Sequence, residues 1–160
     1  MGSCCQGRKK PVKIHVGCGG NILAGFDNTD FDKVDITKPL PWGDNIADLI
    51  FAEHVVEHIN IQQALGFFSE CYRVLKPGGI LRVCVPQLNR INDRGHARDL
   101  ILGHGHQLVC SHDTIKGIMW AAGFDGQKIK ETDRRDIDSH WKAISKEKDD
   151  QETLRMEATK

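Results

Sequence analysis

The amino-acid sequence predicts an α/β fold in which a mostly parallel, twisted sheet carries helices on both faces. The first observation is a short apolar segment, residues 12–16, that runs directly into a turn with glycines at 17, 19 and 20. The second is that later apolar runs typical of buried parallel strands alternate with segments of helical period. The third is residues 153–158, where polar and apolar side chains alternate as in a final antiparallel strand.

Length and composition indicate one ordinary globular domain. The chain has 160 residues, of which 39% are apolar and 28% are charged, and we expect a disordered tail at 1–10 followed by a single domain at 11–160. The net charge is zero, and the absence of a basic stripe argues against general nucleic-acid binding. No apolar run is long enough to span a membrane. The six cysteines match no zinc spacing, so we expect reduced thiols and a cytoplasmic protein.

The first two strands are predicted unusually close together. Ile14 and Val16 mark the first strand, and residues 26–31 form the second, which ends at Asp30. Parallel neighbours normally need a connection of about a dozen residues or more, usually with a helix. The segment between these strands is shorter, so we expect the helix to be reduced to a single turn at most.

The middle of the chain supplies an edge strand, a central strand and the first clear helix. Residues 33–36 are predicted as a short strand at the sheet edge, and residues 48–52 as a buried central strand. A helix is predicted to begin at Asn60, with Gln63 completing a capping box, and to end at Pro-Gly-Gly in 77–79. Residues 80–85 then form the next strand.

The last third of the sequence is less regular. Asp113 is predicted to cap a second helix that ends at Gly123, and residues 124–130 to form a strand. A loose helix is predicted over 132–150. The final strand at 153–158 brings the sheet to seven strands and closes it with an antiparallel pair.

The glycine turn narrows the class of ligand. Glycines after a buried parallel strand let a ligand approach the backbone, and ligands of open α/β sheets bind at this edge. A nucleotide-binding P-loop needs Gly-Lys followed by Ser or Thr, which is absent here. The dinucleotide fingerprint needs a third glycine at position 22, which is Ile22. A shorter Gly-x-Gly turn remains.

Five segments in a fixed order carry a resemblance to a known family. They are Val-Gly-Cys-Gly at 16–19, the acidic strand end at Asp30, Asp-Ile-Thr-Lys-Pro-Leu-Pro-Trp at 35–42, Glu-His-Val-Val-Glu-His at 53–58 and Arg-Val-Leu-Lys-Pro-Gly-Gly-Ile-Leu at 73–81. In these segments the sequence resembles the class I S-adenosylmethionine-dependent methyltransferases. The resemblance implies their Rossmann-like fold, S-adenosylmethionine as the cofactor, and direct SN2 transfer of a methyl group.

The resemblance also implies a set of cofactor-binding residues. Backbone at Gly17, Cys18 and Gly19 would pass under the methionine and ribose parts of the cofactor. Asp30 would accept hydrogen bonds from both ribose hydroxyls. The remaining implied contacts are Asp35 and Ile36 at the adenine and Glu53 and His54 in the pocket, near the methionine end or the methyl acceptor. Glu53 and His54 are also the candidate catalytic residues.

One position departs from the family pattern. Where the family usually carries Asp or Glu, two residues before the first glycine, this chain has His15. A histidine can organise the loop by hydrogen bonding, and we include His15 among the cofactor-binding residues, but it brings no full negative charge. With the shortened helix, this departure favours an alternative in which the protein binds S-adenosylmethionine, or no ligand, and acts as an interaction module.

A third hypothesis is a metal hydrolase. His54-x-x-Glu57-His58 spells the inverzincin pattern, but the helix cap at Asn60 places it before the helix, so we predict structural roles for Glu57 and His58 and no metal. A further loop carries three histidines for which a surface position, acceptor contact or metal binding all stay open: His104, His106 and His112. The acceptor is expected to be a small molecule by elimination only, and the sequence leaves the oligomeric state open.

Overall fold

The computed structural model of the chain describes residues 10–86, 105–132 and 153–160. The predicted tail at 1–10 and the predicted loose helix at 132–150 lie outside these described residues except for positions 10 and 132, which belong to no helix or strand, and His104 also lies outside them. Within the described ranges one mixed sheet of six strands is formed, in the spatial order β2-β1-β3-β4-β6-β5. The strands are β1 (Lys13–Val16), β2 (Asp27–Thr29), β3 (Ala47–Glu53), β4 (Leu75–Pro86), β5 (Ile129–Glu131) and β6 (Thr153–Thr159).

The first four strands run parallel and share one edge at their carboxyl ends. Strand β1 pairs with β2 on one side and with β3 on the other, with Val16 opposite Thr29 and opposite Ala52. The chain thus adds β2 on one side of β1 and then crosses over to add β3 on the other side of β1. In open α/β sheets the ligand site lies at the carboxyl edge where the strand order reverses. In this sheet the reversal is at β1.

The carboxyl-terminal part of the sheet is antiparallel, as predicted. Strand β6 lies between β4 and β5 and runs antiparallel to both. Inside this part, Arg82 of β4 forms a fully buried ion pair with Glu157 of β6 at 3.0 Å. The fold is the expected Rossmann-like arrangement with an antiparallel strand pair at its end.

Helix α1 (Ile61–Val74) begins as the sequence predicts. The Asn60 side chain accepts from the backbone N–H of Gln63, and the Gln63 side chain accepts from that of Asn60, both at 3.0 Å. Two of the helix's unpaired backbone donors are thereby satisfied. The helix ends at Val74, before the Pro-Gly-Gly segment, and β4 starts immediately after it. The proline and glycines are therefore part of the strand's irregular first half.

The two faces of the sheet are covered differently in the described part of the chain. Both helices, α1 and α2 (His112–Ala121), contribute to one large core with the side chains of Ile14, Ile50 and Leu81. On the opposite face a small cluster forms in which Leu23 and Phe26 pack near Phe51. The loop between β1 and β2 thus covers apolar surface on the face away from the two helices.

The predicted edge strand at 33–36 is wrong. The backbone N–H groups of Lys33 and Val34 both donate to the carbonyl of Asp30 at 2.8 Å, which closes a turn. Val34 and Ile36 are buried in the main core. Their apolar character therefore reflects burial from a turn rather than pairing in the sheet, and six strands are present in the described ranges instead of seven.

Three boundaries also differ from prediction. The cap of α2 is Ser111, whose hydroxyl accepts from the N–H of Thr114 at 3.1 Å, so the helix begins before Asp113. Strand β2 covers 27–29 rather than 26–31. Strand β5 is shorter than 124–130 because Asp125 caps a 3₁₀ turn, Gly126–Lys128, by accepting from the N–H of Gln127.

The shortened connection between β1 and β2 is confirmed, since turns occupy it where a helix could have stood. The Asn28 side chain holds these turns by bonding to both the N–H and the carbonyl of Leu23 at 2.9 Å. Among the described helices, neither has the length and apolar character needed to cross a membrane.

Candidate functional site

The candidate site is built from three loops at the carboxyl edge of the parallel strands. The glycine turn follows β1, Asp30 follows β2, and Glu53 is the last residue of β3, with His54 directly after it. Because β1 lies between the other two strands, the glycine turn has Asp30 on one side and Glu53 on the other. The structure thus brings together residues that are far apart in sequence.

On the β2 side the turn is tied to the strand end. The N–H of Cys18 donates to the carbonyl of Thr29 at 3.0 Å, which places Asp30 directly beside the turn. Asp30 is half-buried, and its Oδ1 accepts from the N–H of Phe31 at 2.8 Å. Burial, with the nearby charge of Asp30, raises the pKa of the Cys18 thiol, so this cysteine stays protonated and is no nucleophile.

On the β3 side a hydrogen bond between two side chains joins the loop after β1 to the end of β3. The Asn21 amide donates to Oε2 of Glu53 at 3.2 Å, which links the loop after β1 to the end of β3. His54 follows with a φ of 53°, a left-handed conformation that costs a non-glycine residue free energy. Its N–H donates to the carbonyl of Cys84 at 2.9 Å. Backbone strain of this kind is often found at functional sites.

Gly17 and Gly19 of the turn are glycine for different structural reasons. Both have positive φ, 65° at Gly17 and 49° at Gly19. A Cβ on Gly17 would collide with the side chain of Val55, so this glycine lets the loop after β3 approach β1. A Cβ on Gly19 would meet no atom of the described residues within 4 Å, so the backbone here is open to approach from outside.

His15 lies beneath the turn, on the face of the small cluster. Its ring is 1% exposed, lies 4.9 Å from the Phe51 ring between centroids, and bonds through Nδ1 to Oδ1 of Asn28 at 3.2 Å. Burial lowers the pKa of His15, while hydrogen bonds to Asn28 and the Asn21 backbone act in the opposite direction. The ring is therefore neutral near pH 7 and organises the loop through Asn28.

Asp35 and Ile36 occupy the turn beyond β2. The Asp35 carboxylate accepts from the N–H and hydroxyl of Thr37 at 2.9 and 2.7 Å, which lowers the pKa of Asp35 together with nearby Lys38. Ile36 is 8% exposed and packs in the main core. In the described part of the chain, no hydrogen bond joins Asp35 or Ile36 to the glycine turn.

His54 has a carboxylate partner on the following 3₁₀ turn, Val56–His58. Its Nδ1 lies 3.2 Å from Oε1 of Glu57, and Glu57 is 2% exposed. A carboxylate can only accept a hydrogen bond from this ring, so Nδ1 is the donor in this pair. Nε2 is buried and has no hydrogen-bond partner among the described residues.

Sequence reasoning missed three residues that shape the site, namely Asn21, Asn28 and Val55. The side-chain amides of Asn21 and Asn28 hold loops in place. An asparagine in a loop next to glycines is only a weak sequence signal of such a role. The contact of Val55 with Gly17 joins positions far apart in the chain, and no local pattern could reveal it. Of the loop histidines, His106 lies against His58 and His112 bonds to its neighbour Asp113 at 3.0 Å.

Comparison with known proteins agrees with this geometry. Residues 20–83 match the family model described as a methyltransferase domain, a range that includes Asp30 and Glu53 and begins at the last glycine of the turn. A solved S-adenosylmethionine-dependent methyltransferase from Archaeoglobus fulgidus superposes with a TM-score of 0.64 at 15% identity, covering 94% of this chain and 86% of that one. The described residues thus have the fold of class I methyltransferases, and residues 20–83 are similar to a methyltransferase domain.

Two curated relatives are longer than the chain. Cycloartenol-C-24-methyltransferase 1 from Oryza sativa subsp. japonica is 32% identical over 112 residues, covering 66% of this chain and 32% of that protein. A probable S-adenosylmethionine-dependent methyltransferase from Mycolicibacterium smegmatis is 35% identical over 105 residues, covering 66% of this chain and 38% of that protein. The chain thus spans about a third of the length of the curated relatives it matches.

The contrast between the two glycines is testable by alanine substitution. Gly19→Ala is expected to lower the free energy of unfolding by about 1–2 kcal/mol, the cost of a left-handed alanine. Gly17→Ala should cost a further ~1–3 kcal/mol because its Cβ overpacks against Val55. Urea denaturation monitored by circular dichroism measures both.

A Val55→Ala background supplies the control. With the valine side chain removed, the penalty of Gly17→Ala should fall toward that of Gly19→Ala. An equal penalty in both backgrounds would show that the contact between Gly17 and Val55 does not hold the turn.

The buried neutral state of His15 predicts a pH dependence of stability. Because burial lowers its pKa in the folded protein below the ordinary 6.5, the unfolded chain binds more protons as the pH falls below 6.5. The free energy of unfolding should therefore be lower at pH 5.5 than at pH 7.5, and His15→Gln should reduce this difference. His112→Gln is the matched control and should keep the full difference. An undiminished difference in His15→Gln would contradict the assignment.

Proposed function

We propose that the chain binds S-adenosylmethionine at the edge formed by the glycine turn, Asp30 and Glu53, and transfers its methyl group to a small-molecule acceptor. The observation that carries the proposal is the placement of the open backbone at Gly19 between two carboxylates on neighbouring strand ends. The names of the relatives support the activity and the cofactor.

Each part of the proposed cofactor has a complementary group. A carboxylate can accept hydrogen bonds from two ribose hydroxyls at once, and in the described part of the chain the Asp30 side chain accepts only one hydrogen bond, at Oδ1 from the N–H of Phe31. The open space over Gly19 suits the thin chain of the methionine part. The negative charge of Glu53 suits the methionine ammonium, and Asn21 holds that carboxylate in place. Asp35 and Ile36 remain proposed neighbours of the adenine.

Methyl transfer asks for positioning and for removal of one proton. The acceptor's lone pair forms a bond to the methyl carbon as the carbon–sulfur bond breaks, and the bonding electrons neutralise the sulfonium as S-adenosylhomocysteine leaves. When the acceptor carries a proton, a base must take it. We assign this role to Nε2 of His54, whose other nitrogen donates to Glu57. The carboxylate would stabilise the imidazolium that results.

The domain organisation, the kind of acceptor and the cellular location are further parts of the proposal. We propose that residues 11–160 act as a single domain and that the acceptor is small, because the net charge is zero and no basic stripe favours a nucleic acid. A cytoplasmic location is proposed because Cys18, Cys71 and Cys110 are buried thiols that form no disulfide within the described part of the chain.

A second candidate is a domain that binds the cofactor without turning it over. Two observations favour it: turns replace the helix after β1, and the neutral His15 stands at a position where the resembled family carries a carboxylate. The two candidates agree on binding and differ on chemistry, so separate experiments test them.

Binding is tested by calorimetric titration of S-adenosylhomocysteine into the full chain. Asp30→Asn keeps the size of the side chain and removes its charge, so two charge-assisted hydrogen bonds to the ribose become neutral. At ~1 kcal/mol lost for each, the affinity should fall at least about tenfold. Asp32→Asn, an exposed neighbour with the same change in charge, should bind like the unmodified chain. Equal affinities in both variants would place the ribose away from Asp30.

Turnover is tested by S-adenosylhomocysteine release from S-adenosylmethionine with a panel of small hydroxyl, thiol and amine acceptors. His54→Gln should lower kcat by roughly 10²-fold or more through loss of the general base, with unchanged affinity for S-adenosylhomocysteine. His112→Gln is the matched control and should retain activity. Binding without release for every acceptor would favour the non-catalytic candidate, and full activity of His54→Gln would remove His54 as the base.

A further inference from the structure

A group of side chains that could bind a metal ion lies next to the candidate site. Glu57, His58 and His106 each offer one metal-ligating atom, and these atoms all lie within 4.8 Å of one another. Glu57 and His58 belong to the 3₁₀ turn after β3, and His106 comes from the segment before α2. Imidazole nitrogens and a carboxylate oxygen are a donor set typical of zinc.

The backbone around these three residues is held in place. The N–H groups of Gln107 and Leu108 donate to the carbonyl of Glu57 at 2.8 and 3.1 Å. The side-chain amide of Gln107 donates to the carbonyl of His58 at 2.9 Å. The rings of His58 and His106 then meet edge to face, with 4.7 Å between their centroids. The segment that carries His106 is thus fixed against the 3₁₀ turn by bonds independent of the three donors.

An independent observation points to a ligand at Glu57. The residue is 2% exposed, and its Oε1 accepts from Nδ1 of His54 at 3.2 Å. Within residues 10–86, 105–132 and 153–160, its Oε2 is buried without any hydrogen-bond partner. A buried carboxylate oxygen in this state is costly, because its lost hydration is not replaced, and coordination to a cation is one of the few ways to satisfy it.

We propose that Glu57, His58 and His106 bind one zinc ion. Tetrahedral zinc takes nitrogen and oxygen ligands at about 2.0–2.2 Å, which sets its donors about 3.4 Å apart. His58 is exposed, so its ring can turn inward from the observed separation, and the solvent side leaves room for a water as the fourth ligand. Two imidazoles disfavour magnesium and calcium, which prefer oxygen donors throughout.

This arrangement differs from the inverzincin pattern spelled by residues 54–58. That pattern would use His54 and His58 as ligands and Glu57 as a base. Here His54 instead donates to Oε1 of Glu57, and the third donor comes from His106. The ion would clip the segment before α2 to the turn before α1. Through Glu57 it would also fix the ring of His54, as a residue bonded to a metal ligand is fixed in other sites.

The test is zinc titration of the full chain after treatment with a chelator, in competition with a chromogenic zinc indicator. One equivalent should bind, and the melting temperature should rise with added zinc. His58→Ala and His106→Ala should each weaken binding at least about tenfold. His112→Ala is the matched control, because His112 is a nearby histidine outside the cluster. This variant should bind zinc like the unmodified chain. Magnesium and calcium should not compete.

The variants remain informative because their fold can be checked without metal. His58 is exposed, so the metal-free His58→Ala chain should melt at the temperature of the metal-free unmodified chain. Cobalt substitution reports the donors directly: visible bands of a tetrahedral ion without a thiolate charge-transfer band support the proposal. A thiolate band, undiminished affinity in both histidine variants, or no zinc binding by the unmodified chain would each overturn it.

Discussion

The close approach of Val55 to Gly17 is the constraint on which the candidate site depends. Only glycine leaves room there, and only a left-handed backbone turns the chain away at the end of β1. With the loop after β3 seated against β1, Asn21 reaches Glu53, and the turn exposes Gly19 instead of Gly17. One glycine is thus used for packing and the other for access, although both look alike in the sequence.

The short connection after β1 shows how the fold works without its first helix. A helix would normally cover the sheet face above β1 and satisfy its own backbone. Here Leu23 and Phe26 cover part of that face, and the Asn28 side chain satisfies the Leu23 backbone groups that a helix would pair internally. His15 completes the arrangement from below as a neutral ring bonded to Asn28. His15, which departs from the family pattern, is therefore part of the same group of contacts that replaces the helix.

Local patterns predicted the parts of the fold that local physics decides. The glycine turn, the buried strands β1 and β3 and the capping box at Asn60 follow from apolar periodicity and from backbone chemistry within a few residues. The strand predicted at 33–36 was wrong because burial in a turn and burial in a strand leave the same apolar signature. The left-handed His54, the contact of Val55 with Gly17 and the meeting of Glu57 with His106 depend on long-range packing. Single-sequence reasoning has no access to such contacts.

The central claim is that the carboxyl edge at β1, flanked by Asp30 and Glu53, is the cofactor site. A crystal structure of the chain grown with S-adenosylhomocysteine tests it most directly. We expect both ribose hydroxyls within hydrogen-bonding distance of the Asp30 carboxylate, with the homocysteine part over Gly19 and its ammonium toward Glu53. A ligand bound elsewhere on the fold, or a ribose turned away from Asp30 at this edge, would contradict it.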